Sequence, residues 1–154
     1  MSEVLDADVV AEGVDAMQSP ASRPCGSCPY RRDVPSGVWH AEEYEKLRAY
    51  DLDIALQPHG LFQCHQTDAD SEVRRLCAGW VGCHGEQLLG LRLALVRGRI
   101  SETTFQAAVD YRSPVPLFSS GAEAANHGQA DIAHPSPEAV KAITRISRRR
   151  SDLA

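Results

Sequence analysis

The chain has 154 residues, 24% of them charged and 43% apolar, with a net charge of −5. That length and balance fit one soluble domain with tails. The acidic sum argues against a general nucleic-acid binder, which needs Lys and Arg to neutralise phosphates.

Only 6% of residues are aromatic, against 11 Gly and 9 Pro. Such a chain builds a thin core, and a metal cross-link is one way to offset that. No apolar run approaches the roughly 18 residues of a membrane span. The chain starts with acids, where a secretory leader needs bases and then an apolar run. A reducing cytoplasm is therefore the expected compartment, with no membrane partner.

In chain order, residues 1–23 read as a mobile acidic arm. Glu3, Asp6, Asp8, Glu12 and Asp15 face only Arg23 in charge. Pro24, Pro29 and Pro35 make Cys25–Gly37 an irregular loop. A helix is expected over about His40–Tyr50, with Glu42 and Glu43 in its first turn, Arg48 in its last, and Tyr44 and Leu47 buried. Asp51–Gly60 reads as loop, Leu61–His65 as an extended arm, and Glu72–Leu76 as a helical turn. Cys83 and His84, flanked by Gly82 and Gly85, read as a constrained turn. The leucines of Glu86–Val96 favour a buried helix ended by Gly98. Ser101 caps a second helix over Glu102–Tyr111, burying Phe105, Ala108 and Val109. Residues 118–135, rich in Ser, Gly, Ala, Asn and His, read as linker. Ser136-Pro137-Glu138 starts a basic C-terminal helix with Val140, Ile143 and Ile146 on one face.

All five cysteines lie between Cys25 and Cys83. In a reducing compartment, clustered cysteines more often bind metal than form structural disulfides. Cys25-Gly26-Ser27-Cys28 can grip one ion from a single turn. The expected ligands are Cys25, Cys28, Cys64 and Cys77, with Cys83, His84 and His65 as alternatives. Zinc is the first choice of ion because it is the commoner structural metal and tolerates mixed Cys and His ligands. A [4Fe–4S] cluster is the alternative, because Pro29 directly follows Cys28. A redox role for the Cys-x-x-Cys pair lacks the strand-to-helix setting it needs.

The motifs Cys25-x-x-Cys28-Pro-Tyr-Arg-x-Asp-x-Pro-Ser-Gly-x-Trp39, Cys64-His65-Gln66 and Cys77-Ala-Gly-Trp80-x-x-x-His84 carry a resemblance. Together they resemble an uncharacterised cysteine-motif family of actinobacteria and their phages, known only as a domain of unknown function. The resemblance spans about residues 24–98. It implies a bacterial or phage source and gives no activity. A weaker likeness is to the zinc- or iron-chelating YkgJ-type proteins.

Arg31-Arg32 beside the Cys-x-x-Cys, and Arg148, Arg149 and Arg150 at the C-terminus, are candidate contacts for a protein or nucleic-acid partner. Pairing of Arg31 with Asp33 and nearby carboxylates is the plainer reading of the first pair. No phosphate loop, serine nucleophile elbow or His-Glu-x-x-His motif is present.

The sequence therefore predicts a small, mainly α single domain with irregular loops, organised around a Cys-rich metal site over residues 24–117. Its expected role is a non-enzymatic zinc module presenting an interaction surface. An iron–sulfur redox protein, or a metalloenzyme with an open position near His65 and His84, are the alternatives.

Overall fold

The computed structural model describes residues 17–64 and 74–149. Expectations for 1–16, His65 and Arg150, and for the side chain of Arg149, lie outside what is described. Among the described residues six α-helices pack around one core, joined by irregular segments. Among the described residues pairing of extended chain is limited to three isolated bridges.

Helix α1, Ala41–Glu45, runs directly into a 3-10 turn, Lys46–Asp51. Together they cover the expected His40–Tyr50 helix. Tyr44 and Leu47 are buried as the spacing required. The exposed pairs Lys46–Glu43 (3.0 Å) and Arg48–Glu45 (3.1 Å) add only a few tenths of a kcal/mol each. A second 3-10 turn, Ile54–Leu56, interrupts the loop that follows.

Three extended segments meet next. Cys64 N–H donates to Arg75 O (2.8 Å) and Cys77 N–H to Phe62 O (2.9 Å), an antiparallel pairing centred on Gln63 and Leu76. Gln18 adds a parallel bridge to Arg75. The extended reading of Leu61–Cys64 holds. Of the helical turn expected over Glu72–Leu76, residues 72–73 lie outside what is described, and Arg75 and Leu76 are extended instead, held open by these bridges. The arm also docks earlier than the sequence implied, because Met17 is buried and Gln18 is paired.

Helix α2, Ala78–His84, takes in Cys83 and His84, which were expected in a turn. Its two glycines weaken helix propensity, yet both sit where the helix presses on neighbours. Helix α3, Leu89–Val96, ends at Gly98, whose φ of 73° suits glycine. Helix α4, Glu102–Val109, is capped by Ser101 Oγ, which accepts from Thr104 N–H at 3.0 Å. Both α2 and α3 pack against α4.

The segment read as linker is a correction. It contains helix α5, Gly121–Gln129, with Ala124 and Ala125 fully buried. Asp51 Oδ1 and Oδ2 accept from the N–H groups of Gly121 (2.7 Å) and Ala122 (2.8 Å). Ser120 Oγ accepts from Glu123 N–H (3.1 Å). The first turn is thus satisfied from outside. Its small side chains let α5 lie directly on α1 and the Lys46–Asp51 turn. Helix α6, Pro137–Arg149, starts as expected, with Ser136 Oγ accepting from Ala139 N–H (3.1 Å). It buries Ala139, Ala142 and Ile146, while Val140 is 49% exposed.

The core joins Tyr30, Tyr44, Leu47, Leu76, Trp80, Leu88 and Leu91, all almost fully buried. Its aromatic part holds Trp80 stacked on Phe62 (centroids 6.0 Å, 27° between planes), with Tyr50 edge-on to both. No described helix is long and apolar enough to cross a membrane.

Candidate metal centre

The Cys-x-x-Cys loop is a turn closed by Cys28 N–H to Cys25 O (3.0 Å). Its carbonyls are clamped from three sides. Trp39 Nε1 donates to Ser27 O (2.8 Å), Arg31 Nη1 to Pro24 O (3.0 Å), and Arg31 N–H to Cys28 O (3.1 Å). Backbone N–H groups of Ser27 and Tyr30 point at the sulfurs of Cys25 and Cys28 and favour their thiolates.

The pairing of Gln63 with Leu76 brings the other two cysteines to the same place. Alternation along the pleat puts Phe62, Cys64 and Cys77 on one face. Phe62 faces the aromatic core, and Cys64 hydrogen-bonds with Cys25. Cys25 also bonds Cys28, and Cys28 Sγ lies 3.9 Å from Cys77 Sγ. Cys28 and Cys77 are thus in direct contact, and Cys25 lies near enough to Cys28 and Cys64 for both to shift its thiol. Among the described residues, no group of three or more His, Cys, Asp or Glu side chains is placed so that it could hold a metal ion. Cys28 and Cys77 are buried, Cys25 and Cys64 partly so.

Without a cation Cys25 and Cys28 hold their protons near pH 7. Cys25 is pushed up to about 11, first by its hydrogen bond to Cys28, with Cys64 pulling the other way and burial adding to the rise. For Cys28 the bond with Cys25 favours the thiolate, but Cys77 and burial outweigh it, and its pKa stands well above the usual value. A divalent ion reverses this, since a coordinating thiol gives up its proton outright.

Helix α2 lies directly over the thiols. A Cβ on Gly79 would run into Cys28 Sγ and come within 2.8 Å of Tyr30 Cβ, so only glycine fits there. Gly79 and Tyr30 were not singled out from the sequence. Tyr30, buried under Gly79, is signalled only by its place two residues after Cys28.

Cys83 and His84 face elsewhere. They line a separate cavity of about 700 Å³ with Tyr50, Asp51, Gln57 and Ser120. Burial, then Asp51 and Glu123, push the Cys83 thiol up to about 12. His84 Nε2 is 2.9 Å from Tyr30 Oη, and its Nδ1 is 3.9 Å from Asp51 Oδ1. The carboxylate favours the proton on Nδ1, leaving Nε2 to accept from the phenol. Burial lowers the His84 pKa to about 4, against the pull of Asp51, so the ring is neutral near pH 7.

The arginine candidates divide. Arg31 grips Asp33 through Nε (2.8 Å) and Nη2 (2.7 Å) and is only 15% exposed. Arg32 donates to Leu117 O (2.9 Å), pairs with Glu123 (3.6 Å) and lies over the Phe118 ring. Both are engaged within the chain, as the plainer reading expected. On α6, Lys141, Arg145 and Arg148 are spaced i, i+4 and i+7 and are all exposed.

No curated protein and no solved structure matches the chain. A family model matches residues 20–150, a wider stretch than the motif-bearing 24–98 and one that takes in α6. The chain therefore belongs to the family of unknown function DUF6283.

Proposed function

We propose that this protein is a zinc module in which one ion, held by Cys25, Cys28, Cys64 and Cys77, ties three segments of the chain into a rigid, non-enzymatic scaffold. The observation that carries the reading is the 3.9 Å between Cys28 Sγ and Cys77 Sγ. Four sulfurs about 2.3 Å from one zinc stand about 3.8 Å apart along each edge of the tetrahedron. A [4Fe–4S] cluster gives each cysteine its own iron and spreads the sulfurs further apart. The donated N–H groups and the clamped carbonyls support the same reading, because they hold the ligands ready for the ion.

The scaffold presents α6, whose exposed Lys141, Arg145 and Arg148 form a basic stripe opposite the buried Ala139, Ala142 and Ile146. That stripe suits a partner with an acidic surface, and its contribution weakens with salt. His84 serves the fold through Tyr30 and Asp51 in this reading. Elemental analysis of anaerobically purified protein tests it. One zinc per chain is expected, lost together with the cooperative melt when Cys28 becomes Ser. Iron with absorbance near about 400 nm would replace zinc with the cluster.

A further inference from the structure

The cavity of about 700 Å³ beside Cys83 and His84 takes no part in the zinc site, since none of the four proposed ligands lines it. Its walls come from residues 50–57, from the end of α2 with Gln87 after it, and from Ser120 at the head of α5. The volume lies within the roughly 300–1,000 Å³ of small-molecule sites.

One part of the wall is acidic. Asp51 and Asp53 supply carboxylates, and among the described residues no Lys or Arg lines the cavity. Asp51 is fixed by the N–H groups of Gly121 and Ala122, and each of its oxygens keeps a lone pair for another donor. Asp53 is exposed, makes no cap bond to the 3-10 turn that follows it, and has no ion pair among the described residues. His84 adds no charge near pH 7, and its ring nitrogens face Tyr30 and Asp51. The Cys83 thiol responds to the same field: after burial, Asp51 and Glu123 raise its pKa.

The other part is apolar, built from Tyr50, Leu52 and Ile54. Leu52 is 48% exposed and Leu56, on the same segment, 68%. Large apolar side chains left open beside a cavity mark a place where an apolar body docks. Such a wall repels anions and gives a neutral polar ligand nothing to pair with its charge. A cation on an apolar body satisfies both parts, because an ammonium donates charge-assisted hydrogen bonds to carboxylates.

We propose that this cavity binds a small organic amine, its ammonium paired with Asp53 and Asp51 and its apolar body laid on Tyr50, Leu52 and Ile54.

Calorimetric titration of the full-length protein at low ionic strength tests it, with 2-phenylethylamine, ammonium ion and 2-phenylethanol as probes. The amine should bind, ammonium should bind more weakly, and the neutral alcohol should not bind. Asp53→Asn should weaken the amine roughly tenfold, the loss expected for one charge-assisted hydrogen bond. The Asp53 side chain is exposed and caps nothing, so this variant should melt as wild type without ligand. Glu102→Gln, on α4 and outside the cavity, should bind as wild type. The proposal is overturned by no heat from the amine at about 1 mM. It is equally overturned by unchanged binding in Asp53→Asn, or by loss of binding in Glu102→Gln. The alcohol binding as tightly as the amine would overturn the role given to the carboxylates, and ammonium doing so would overturn that of the apolar wall.

Discussion

Gly79→Ala puts one methyl group between helix α2 and the thiols. On a free helix surface this change stabilises by up to about 1 kcal/mol, because alanine is the better helix former. Here the new Cβ meets Cys28 Sγ and lies 2.8 Å from Tyr30 Cβ and 3.3 Å from Tyr30 Cδ2. Neither neighbour can retreat into solvent, since Cys28 is 1% exposed and Tyr30 0%. Overpacking of this kind costs about 1–3 kcal/mol, and a Cβ fixed to the backbone belongs near the top of that range. The net expectation is a loss of about 2 kcal/mol in urea unfolding with zinc present, together with weaker zinc binding in a chelator competition. Gly26→Ala is the control. It lies inside the Cys-x-x-Cys loop, yet a Cβ there meets nothing within 4 Å. It should change stability by less than about 0.5 kcal/mol. A Gly79→Ala protein more stable than wild type would refute the packing of α2 on the cysteine loop.

Cys28→Ser should abolish zinc binding and lower stability by several kcal/mol, because structural metal binding is folding energy. Cys83→Ser should keep its zinc, and metal content measured on both variants separates ligand from bystander. Arg31→Ala should weaken zinc binding by about tenfold or more while leaving the fold intact, since its guanidinium braces the Pro24 carbonyl; unchanged affinity would reduce that contact to surface decoration. His84 has a folded pKa of about 4 against an ordinary 6.5, so the unfolded chain takes up this proton first as pH falls. Stability present above about pH 6.5 therefore drains away toward pH 4, with about 2 kcal/mol gone by pH 5. His84→Gln should remove that part of the slope in urea titrations between pH 7 and 5, and parallel slopes would contradict a neutral buried ring. Deleting residues 1–22 should lower the melting temperature, because it removes buried Met17, the Gln18 bridge and the Ser22 carbonyl that accepts from Tyr111 Oη; an unchanged melt would return that stretch to the mobile arm.

The sequence made some of this legible and hid the rest for identifiable reasons. Caps were readable. Ser101 and Ser136 each announce a helix, because a serine followed by a helical pattern has one favourable use for its hydroxyl. Cys25 and Cys28 were readable because their spacing alone closes a turn. The approach of Cys64 and Cys77 was not, since it depends on Gln63 pairing with Leu76 across the intervening chain. Helix α5 was hidden by its composition. Ala124, Ala125 and Gly128 look like linker residues, yet their smallness is what lets the helix press on Tyr44 and Leu47. Helix α2 was hidden in the same way by Gly79 and Gly82, which are there for close packing rather than for turning. The anchor of α5 lies far along the chain in Asp51, a residue that reads from the sequence as one more acid in a loop.

X-ray absorption at the zinc edge, on protein purified anaerobically and without added metal, goes to the centre of the account. One zinc per chain with a shell of four sulfurs at about 2.3 Å is the predicted result. Protein that is free of metal and still folded, or a shell in which nitrogen or oxygen replaces two or more of the sulfurs, would contradict it.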